Sequence, residues 1–293
     1  MVLSVRKLLM GVFAFIVVNA ANAAAPDFKA VEEQIRQSEK TLSAQISVAI
    51  LNPQMGEMWS YKGDERVPVT STFKTLLCAK LLQDADNQLR SLNDNVKIEQ
   101  TMLVEYSPVI EKSVGEYVTL GQACAATMQT SDNTAANIVL ERIGGPAALT
   151  AFIRSYGDQV TRLDRYETQL NEGVPGDVRD TTSARAMVHS INQLLFADVL
   201  SAGARKQLIQ WLKGNTVTAN LLRSVLPEGW SIADRSGAGG YGARSINAVV
   251  WTPKPWIIAI YVANTKASFA ERNKAIVEIG QQVFRALSKT EVQ

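Results

Sequence analysis

The sequence predicts an α+β fold in which an antiparallel sheet, flanked by helices, is formed by both chain ends and encloses an all-helical insertion. Three observations carry this. Strand-like runs of β-branched and aromatic residues cluster near the two ends, at 45–52 and 57–61 and again at 230–235, 245–251 and 256–263. The turns at 53–56 and Pro253-Lys254-Pro255 are short, as connections between antiparallel neighbours are. Between the clusters the periodicity is helical. The expected division is residues 24–64 and 214–293 for the sheet domain and 65–213 for the helical one, with a site in the cleft between them.

Taken in order, residues 1–23 read as a secretory signal peptide. Arg6 and Lys7 form a basic start, 8–18 an apolar run too short to span a bilayer, and Ala21-Asn22-Ala23 a cleavage signal that makes Ala24 the mature N-terminus. An amphipathic helix over 27–41 precedes the first hairpin. Pro68 biases Val67 toward extended backbone, and Thr70 or Ser71 is placed to cap the run that continues through Thr75-Leu76-Leu77-Cys78. Thr119-x-x-Gln122 is a capping box opening a helix to 129. A helix over 133–143 stops at Gly144-Gly145-Pro146, and Pro146 begins another that ends at Gly157. Residues 163–179 lack a period and carry Gly173, Pro175 and Gly176, the mark of a compact Ω-type loop. Helices over 182–196 and 201–213 and a short one over 218–226 lead to the last three strands. Ser268-x-x-Glu271 caps the final helix.

The 293 residues are 46% hydrophobic and 20% charged, enough for an ample core. Arg6 and Lys7 account for the net charge of +2, leaving 28 basic against 28 acidic residues, so nothing favours nucleic acid or an anionic membrane. Two cysteines and one histidine do not make an ordinary zinc site, and no cofactor is expected. No heptads stand out, so a monomer is expected. In the oxidising compartment that a signal peptide implies, Cys78 and Cys124 can pair; the alternative is two buried thiols. Pairing would stabilise the fold by about 4 kcal/mol in the chain-entropy picture.

Four short patterns carry polar chemistry, and each has a plain reading of its own. Ser71 and Lys74 share a face in what would be the first turn of a helix, where unpaired N–H groups favour developing negative charge. A hydroxyl beside an ammonium there can be an activated nucleophile, yet the same spacing recurs at Ser4-Val5-Arg6-Lys7. Ser131-Asp132-Asn133 alone reads as a helix cap, Arg235-Ser236-Gly237 as a strand ending in a turn, and Glu167 with Asn171 as a solvated pair. Gly237-Ala238-Gly239-Gly240-Tyr241-Gly242 spells G-x-G-x-x-G, but the strand that follows makes it a hairpin turn and not a dinucleotide loop. His189 lies in a helical pattern, so a Ser-His-Asp triad is not expected.

Together and in this order the four patterns resemble the class A serine β-lactamases, over essentially the whole mature chain. The resemblance implies the serine β-lactamase and penicillin-binding-protein fold and hydrolysis of the β-lactam ring, giving antibiotic resistance. It implies Ser71 as nucleophile, with the backbone N–H groups of Ser71 and Ala238 as oxyanion donors. Ser131 would pass a proton to the departing nitrogen, and Glu167 with Asn171 would activate the deacylating water. For acylation Glu167 is favoured over Lys74, because a lysine neutral at pH 7 costs roughly 4–5 kcal/mol. Asn133 and Ala238 would grip the substrate amide, Arg235, Ser236 and Arg244 its carboxylate, and Tyr106 would line the entrance. Gly237, next to Ser236, is expected to bind substrate with them. Cys78 and Cys124 match a disulfide of many members, and Arg165 and Asp180 match an ion pair that pins the Glu167 loop.

Two positions depart from the usual pattern: Arg235 where lysine is common, and Tyr166 where tryptophan is. Arg235-Ser236-Gly237 followed by Ala238-Gly239-Gly240 looks like the carbenicillin-hydrolysing subgroup, which implies a penicillinase that accepts carboxypenicillins. The implied location is the periplasm of a Gram-negative bacterium, with no membrane contact once the signal is removed. The rival readings are a penicillin-binding D-Ala-D-Ala peptidase and a secreted, non-catalytic β-lactam-binding module.

Overall fold

A computed structural model describes residues 26–289; the expected signal peptide and the residues at its cleavage site lie outside them. Helix α1 (Lys29–Leu42) leads into strands β1 (Gln45–Leu51) and β2 (Met58–Tyr61). Strand β3 (Val67–Pro68) ends where a 3₁₀ turn, Thr70–Thr72, opens helix α2 (Phe73–Asp86). Strands β4 (Asn95–Lys97) and β5 (Tyr117–Thr119) form a small ribbon before helices α3 (Leu120–Thr130), α4 (Asn133–Arg142) and α5 (Gly145–Ser155). After a long loop come β6 (Thr181–Thr182), α6 (Ala184–Phe196), α7 (Ala202–Lys213), β7 (Ser231–Ala238), β8 (Arg244–Trp251), β9 (Pro255–Ala263) and α8 (Phe269–Ser288).

The main sheet has the order β2-β1-β9-β8-β7, antiparallel throughout, so both chain ends supply it as the sequence predicts. Side chains alternate across it. Ile46, Val48 and Ile50 of β1 and Ile258, Ile260 and Val262 of β9 pack with Val31, Ile35, Ile276, Ile279 and Val283 of α1 and α8. Their neighbours Ala49, Leu51, Ile257, Ala259 and Tyr261 point the other way, into the core shared with α2 to α7. Strand β7 is an edge; Ala233 lies in the core shared with α2 to α7, in phase with Arg235 and Gly237, and Ile232 lies in the cluster with α8.

Helix α2 is buried on nearly every side, from Phe73 through Leu82, and touches α3, α4, α5, α6 and α7. A helix without a polar face belongs in the centre of a core, which fixes its N-terminus against the sheet. Cys78 of α2 and Cys124 of α3 form the expected disulfide, with Cα atoms 5.8 Å apart.

Three local expectations change. The pairing of β3 with β6 and of β4 with β5 has no counterpart in the sequence reading, because two or three residues show no period. The helix expected over 218–226 is only a 3₁₀ turn, Leu222–Val225. The cap of α2 is neither Thr70 nor Ser71: Thr72 holds that position, and its side chain makes no capping bond.

Candidate active site

Thr70 has φ 45°, a strained conformation for a β-branched residue. Its hydroxyl donates to the Val69 carbonyl at 2.8 Å, so the 2.9 Å contact with Ser245 Oγ on β8 uses the Ser245 proton. Gly237 of β7 lies beneath, where a Cβ would sit 2.0 Å from Thr70 Oγ1 and 2.8 Å from the Ser71 nitrogen. Only glycine lets the turn approach the strand this closely. Ser71 is thereby presented between the helices and the sheet edge, buried, with its Oγ 3.5 Å from Glu167 Oε1.

One turn on, Lys74 is fully buried. Its Nζ donates to Asn133 Oδ1 at 2.6 Å and to the Ser131 carbonyl at 2.9 Å, reaches Ser131 Oγ at 3.3 Å, and lies 3.1 Å from Glu167 Oε1. Burial pushes its pKa down to about 8, with the Arg235 charge adding to the effect and the Glu167 charge opposing it.

Ser131 closes α3 in a left-handed conformation at φ 65°. Asp132 caps α4 through the Ala135 N–H and also accepts from the N–H groups of Val109 and Ile110. The cap reading of this motif is therefore correct and also incomplete. The same turn aims Ser131 and Asn133 at Lys74, and Asn133 holds the adjacent loop through the Glu105 and Tyr106 carbonyls. Tyr106 itself is exposed, at φ 64°.

Glu167 is buried, not solvated, and follows Tyr166 in the long loop; its peptide bond to Thr168 is cis. Oε2 accepts from Asn171 Nδ2 at 2.5 Å. Asn137 of α4 clamps the backbone, its Oδ1 accepting from Glu167 N–H and its Nδ2 donating to the Glu167 carbonyl, both at 2.9 Å. Sequence reasoning missed Asn137; the available signal was its place one turn after Asn133, on the same helix face. Arg165 Nε meets Asp180 Oδ2 at 2.6 Å, and Asp180 Oδ1 accepts from the N–H groups of Asp164 and Arg165. The loop touches the β7–β8 turn where Gly240 N–H donates to the Asn171 carbonyl at 2.8 Å.

The sheet contributes cations. Arg235 is fully buried; its Nε donates to the Ser71 carbonyl at 3.3 Å, Nη2 to Ser131 Oγ, and Nη1 has no partner among the described residues. Burial lowers its pKa to about 10. Arg244 donates from Nη1 to the Gly237 carbonyl at 2.9 Å and from Nε to Asn273 Oδ1 at 2.7 Å. Its pKa is also lowered to about 10, by burial first and then by the charges of Arg272 and Arg235. Ser236 and Ala238 complete the edge strand, which has no neighbouring strand beyond it among the described residues; an edge of this kind can pair with an extended ligand. Lys74, Arg235 and Arg244 together outnumber the one carboxylate of Glu167, an environment that favours an anionic substrate.

The family model described as the β-lactamase enzyme family matches residues 30–287. This chain belongs to the β-lactamase family. Beta-lactamase CARB-4 of Pseudomonas aeruginosa is 52% identical over 284 residues, covering 96% of this chain and 98% of that protein. Beta-lactamase PSE-1 of the same organism is 53% identical, covering 93% and 95%. The crystal structure of the chromosome-encoded β-lactamase of Vibrio parahaemolyticus superposes with a TM-score of 0.86 at 47% identity, covering 88% of this chain and 98% of that one. An ancestral class A β-lactamase gives 0.85 at 43% identity, covering 87% and 99%. In this β-lactamase, residues from α2, the α3–α4 turn, the long loop and β7 meet at one place. His189 of α6 stands apart from it, beside Gly157, and the G-x-G-x-x-G stretch is the end of β7 and the β7–β8 turn.

Proposed function

We propose that this β-lactamase hydrolyses penicillins, carboxypenicillins among them, through an acyl-enzyme on Ser71. The observation that carries the proposal is the Glu167 carboxylate, held by Asn171 while Asn137 clamps its backbone, with one oxygen 3.5 Å from Ser71 Oγ and 3.1 Å from Lys74 Nζ. It joins an acylating hydroxyl to a base able to deacylate it, which supports this reading over a penicillin-binding peptidase that deacylates the drug slowly. Ser71 Oγ bonds to the lactam carbonyl carbon as its proton leaves through a water to Glu167. The oxyanion is received by the N–H groups of Ser71 and Ala238. The carbon–nitrogen bond then breaks, and the nitrogen takes the Ser131 proton, which Lys74 can resupply. Glu167 then passes the proton it took from Ser71 to the now neutral Lys74, 3.1 Å away, and as a carboxylate again deprotonates a water that attacks the ester; the bond from the carbon to Ser71 Oγ breaks and Oγ takes that proton back.

Lys74 is the second candidate for the acylation base. With a pKa of about 8, its neutral form at pH 7 costs about 1.4 kcal/mol, well under the 4–5 kcal/mol expected from an unperturbed lysine. Asn133 and the Ala238 backbone are proposed to hold the side-chain amide, with Tyr106 at the entrance. Ser236, Arg235 and Arg244 are proposed to hold the ring carboxylate, and Arg165 with Asp180 to pin the loop. The charge of Arg235, whose Nη1 has no partner among the described residues, is proposed to attract the second carboxylate of a carboxypenicillin. An Arg235→Lys variant that turns over carbenicillin as well as the parent does would remove this basis.

Relatives in Pseudomonas aeruginosa support the proposed Gram-negative periplasmic location; a monomer is proposed from the lack of heptads in the sequence. Among the described residues no helix is long and apolar enough to cross a membrane. The test is product formation by the mature protein with excess benzylpenicillin. Turnover far beyond one equivalent is expected. A burst of about one equivalent that stalls would make the chain a penicillin-binding protein, and no burst would remove Ser71 from its role.

A further inference from the structure

Phe269 opens α8, yet the helix does not need it there: Ser268 and Glu271 already form the capping box. The ring is 49% exposed and belongs to neither apolar core. What it touches is charge. The Arg244 guanidinium carbon lies 4.8 Å from the ring centroid and that of Arg272 lies 5.5 Å away. Arg272 is tied down separately, donating to the carbonyls of Ser268 and Ala243. Arg244 is held in its own plane by Asn273 and the Gly237 carbonyl. Two in-plane bonds leave a planar group free to tilt about the line joining them, and a stacked aromatic face removes that freedom. The face also attracts a cation that Arg272 and Arg235 repel.

We infer that Phe269 is a positioning residue for substrate binding: its ring fixes the tilt of Arg244, so that Nη2 faces the site and meets the substrate carboxylate. This rests on the reading of Arg244 as a carboxylate ligand. Phe269 touches no reacting atom, so its loss weakens ground-state grip and leaves the chemical steps alone.

The experiment compares Phe269→Ala, Phe269→Tyr and Arg244→Ala with the parent, using benzylpenicillin and its methyl ester, which lacks the carboxylate. Phe269→Ala is expected to raise KM for benzylpenicillin about fivefold with kcat little changed. Phe269→Tyr restores the parent value, and kcat/KM for the methyl ester does not respond to either change. If Arg244→Ala raises KM and Phe269→Ala does not, the inference about Phe269 is overturned while the carboxylate reading stands. If Arg244→Ala leaves KM unchanged, the carboxylate reading fails and the inference with it. An equal loss of kcat/KM toward penicillin and ester in Phe269→Ala, accompanied by a lowered melting temperature, would show a structural role only and overturn the inference.

Discussion

Behind the sheet, Ile46, Val48, Ile50, Ile258, Ile260 and Val262 meet α1 and α8 in a cluster made of aliphatic and aromatic side chains. In front, at the same depth, lie Lys74, Glu167 and Arg235. Burial displaces the pKa of Lys74 and of Arg235 against the charged form, so the front face holds ions where the fold would be more stable without them. The rear core offsets that cost by burying apolar area. The rear of the sheet is thus given to packing alone, while the front combines the apolar core shared with α2 to α7 with the buried ions, and a substitution at the rear should leave the chemistry standing.

The largest expected effect is on the front. Glu167→Gln should cut kcat by about 10³-fold through lost general-base catalysis, read as a stoichiometric burst that stalls. The fold should survive, because the Glu167 charge holds the Lys74 pKa up, and without it Lys74 releases its proton at pH 7 for less than the about 1.4 kcal/mol of the parent. Unfolding of this variant at room temperature would break the division between the faces. Next comes the rear: Ile260→Ala should lose about 2–5 kcal/mol in urea unfolding with kcat at 25 °C unchanged. A large drop in kcat would show that the rear face shapes the site.

The smallest effect sharpens the account of Lys74. Its folded pKa lies below its unfolded value, so the penalty of burying the charge is full below about pH 8. It is relieved as pH rises from there toward the unfolded pKa, where the unfolded chain still binds the proton. Relative to Lys74→Met, the parent should therefore gain stability across this window, no more steeply than about 1.4 kcal/mol per pH unit. A flat difference would mean that Lys74 is not the strained cation.

The strand clusters and capping boxes were legible because each rests on local chemistry that the fold leaves unchanged, as at Thr119 with Gln122 and Ser268 with Glu271. The motif at Ser131 was legible only in part, since capping explains Asp132 but not why Ser131 and Asn133 face a lysine from another helix. Asn137, Ser245 and Phe269 were silent. Their roles come from residues 30, 175 and 25 positions away, and nothing in their own neighbourhoods announces it. The left-handed Thr70 was also hidden, because a tertiary hydroxyl and a glycine on another strand impose a conformation that its own preference opposes.

The close seam between the β7–β8 turn and the Glu167 loop has an evolutionary consequence. A Cβ at Gly239 would fall 2.7 Å from the Asn171 carbonyl oxygen, and one at Gly240 would fall 2.1 Å from that of Glu172. Any side chain acquired there must displace the segment that carries Asn171, whose amide holds Glu167. A lineage that widens this entrance for bulkier drugs therefore disturbs the group proposed to free the enzyme after each turnover, so breadth of spectrum and speed on small penicillins are expected to oppose each other.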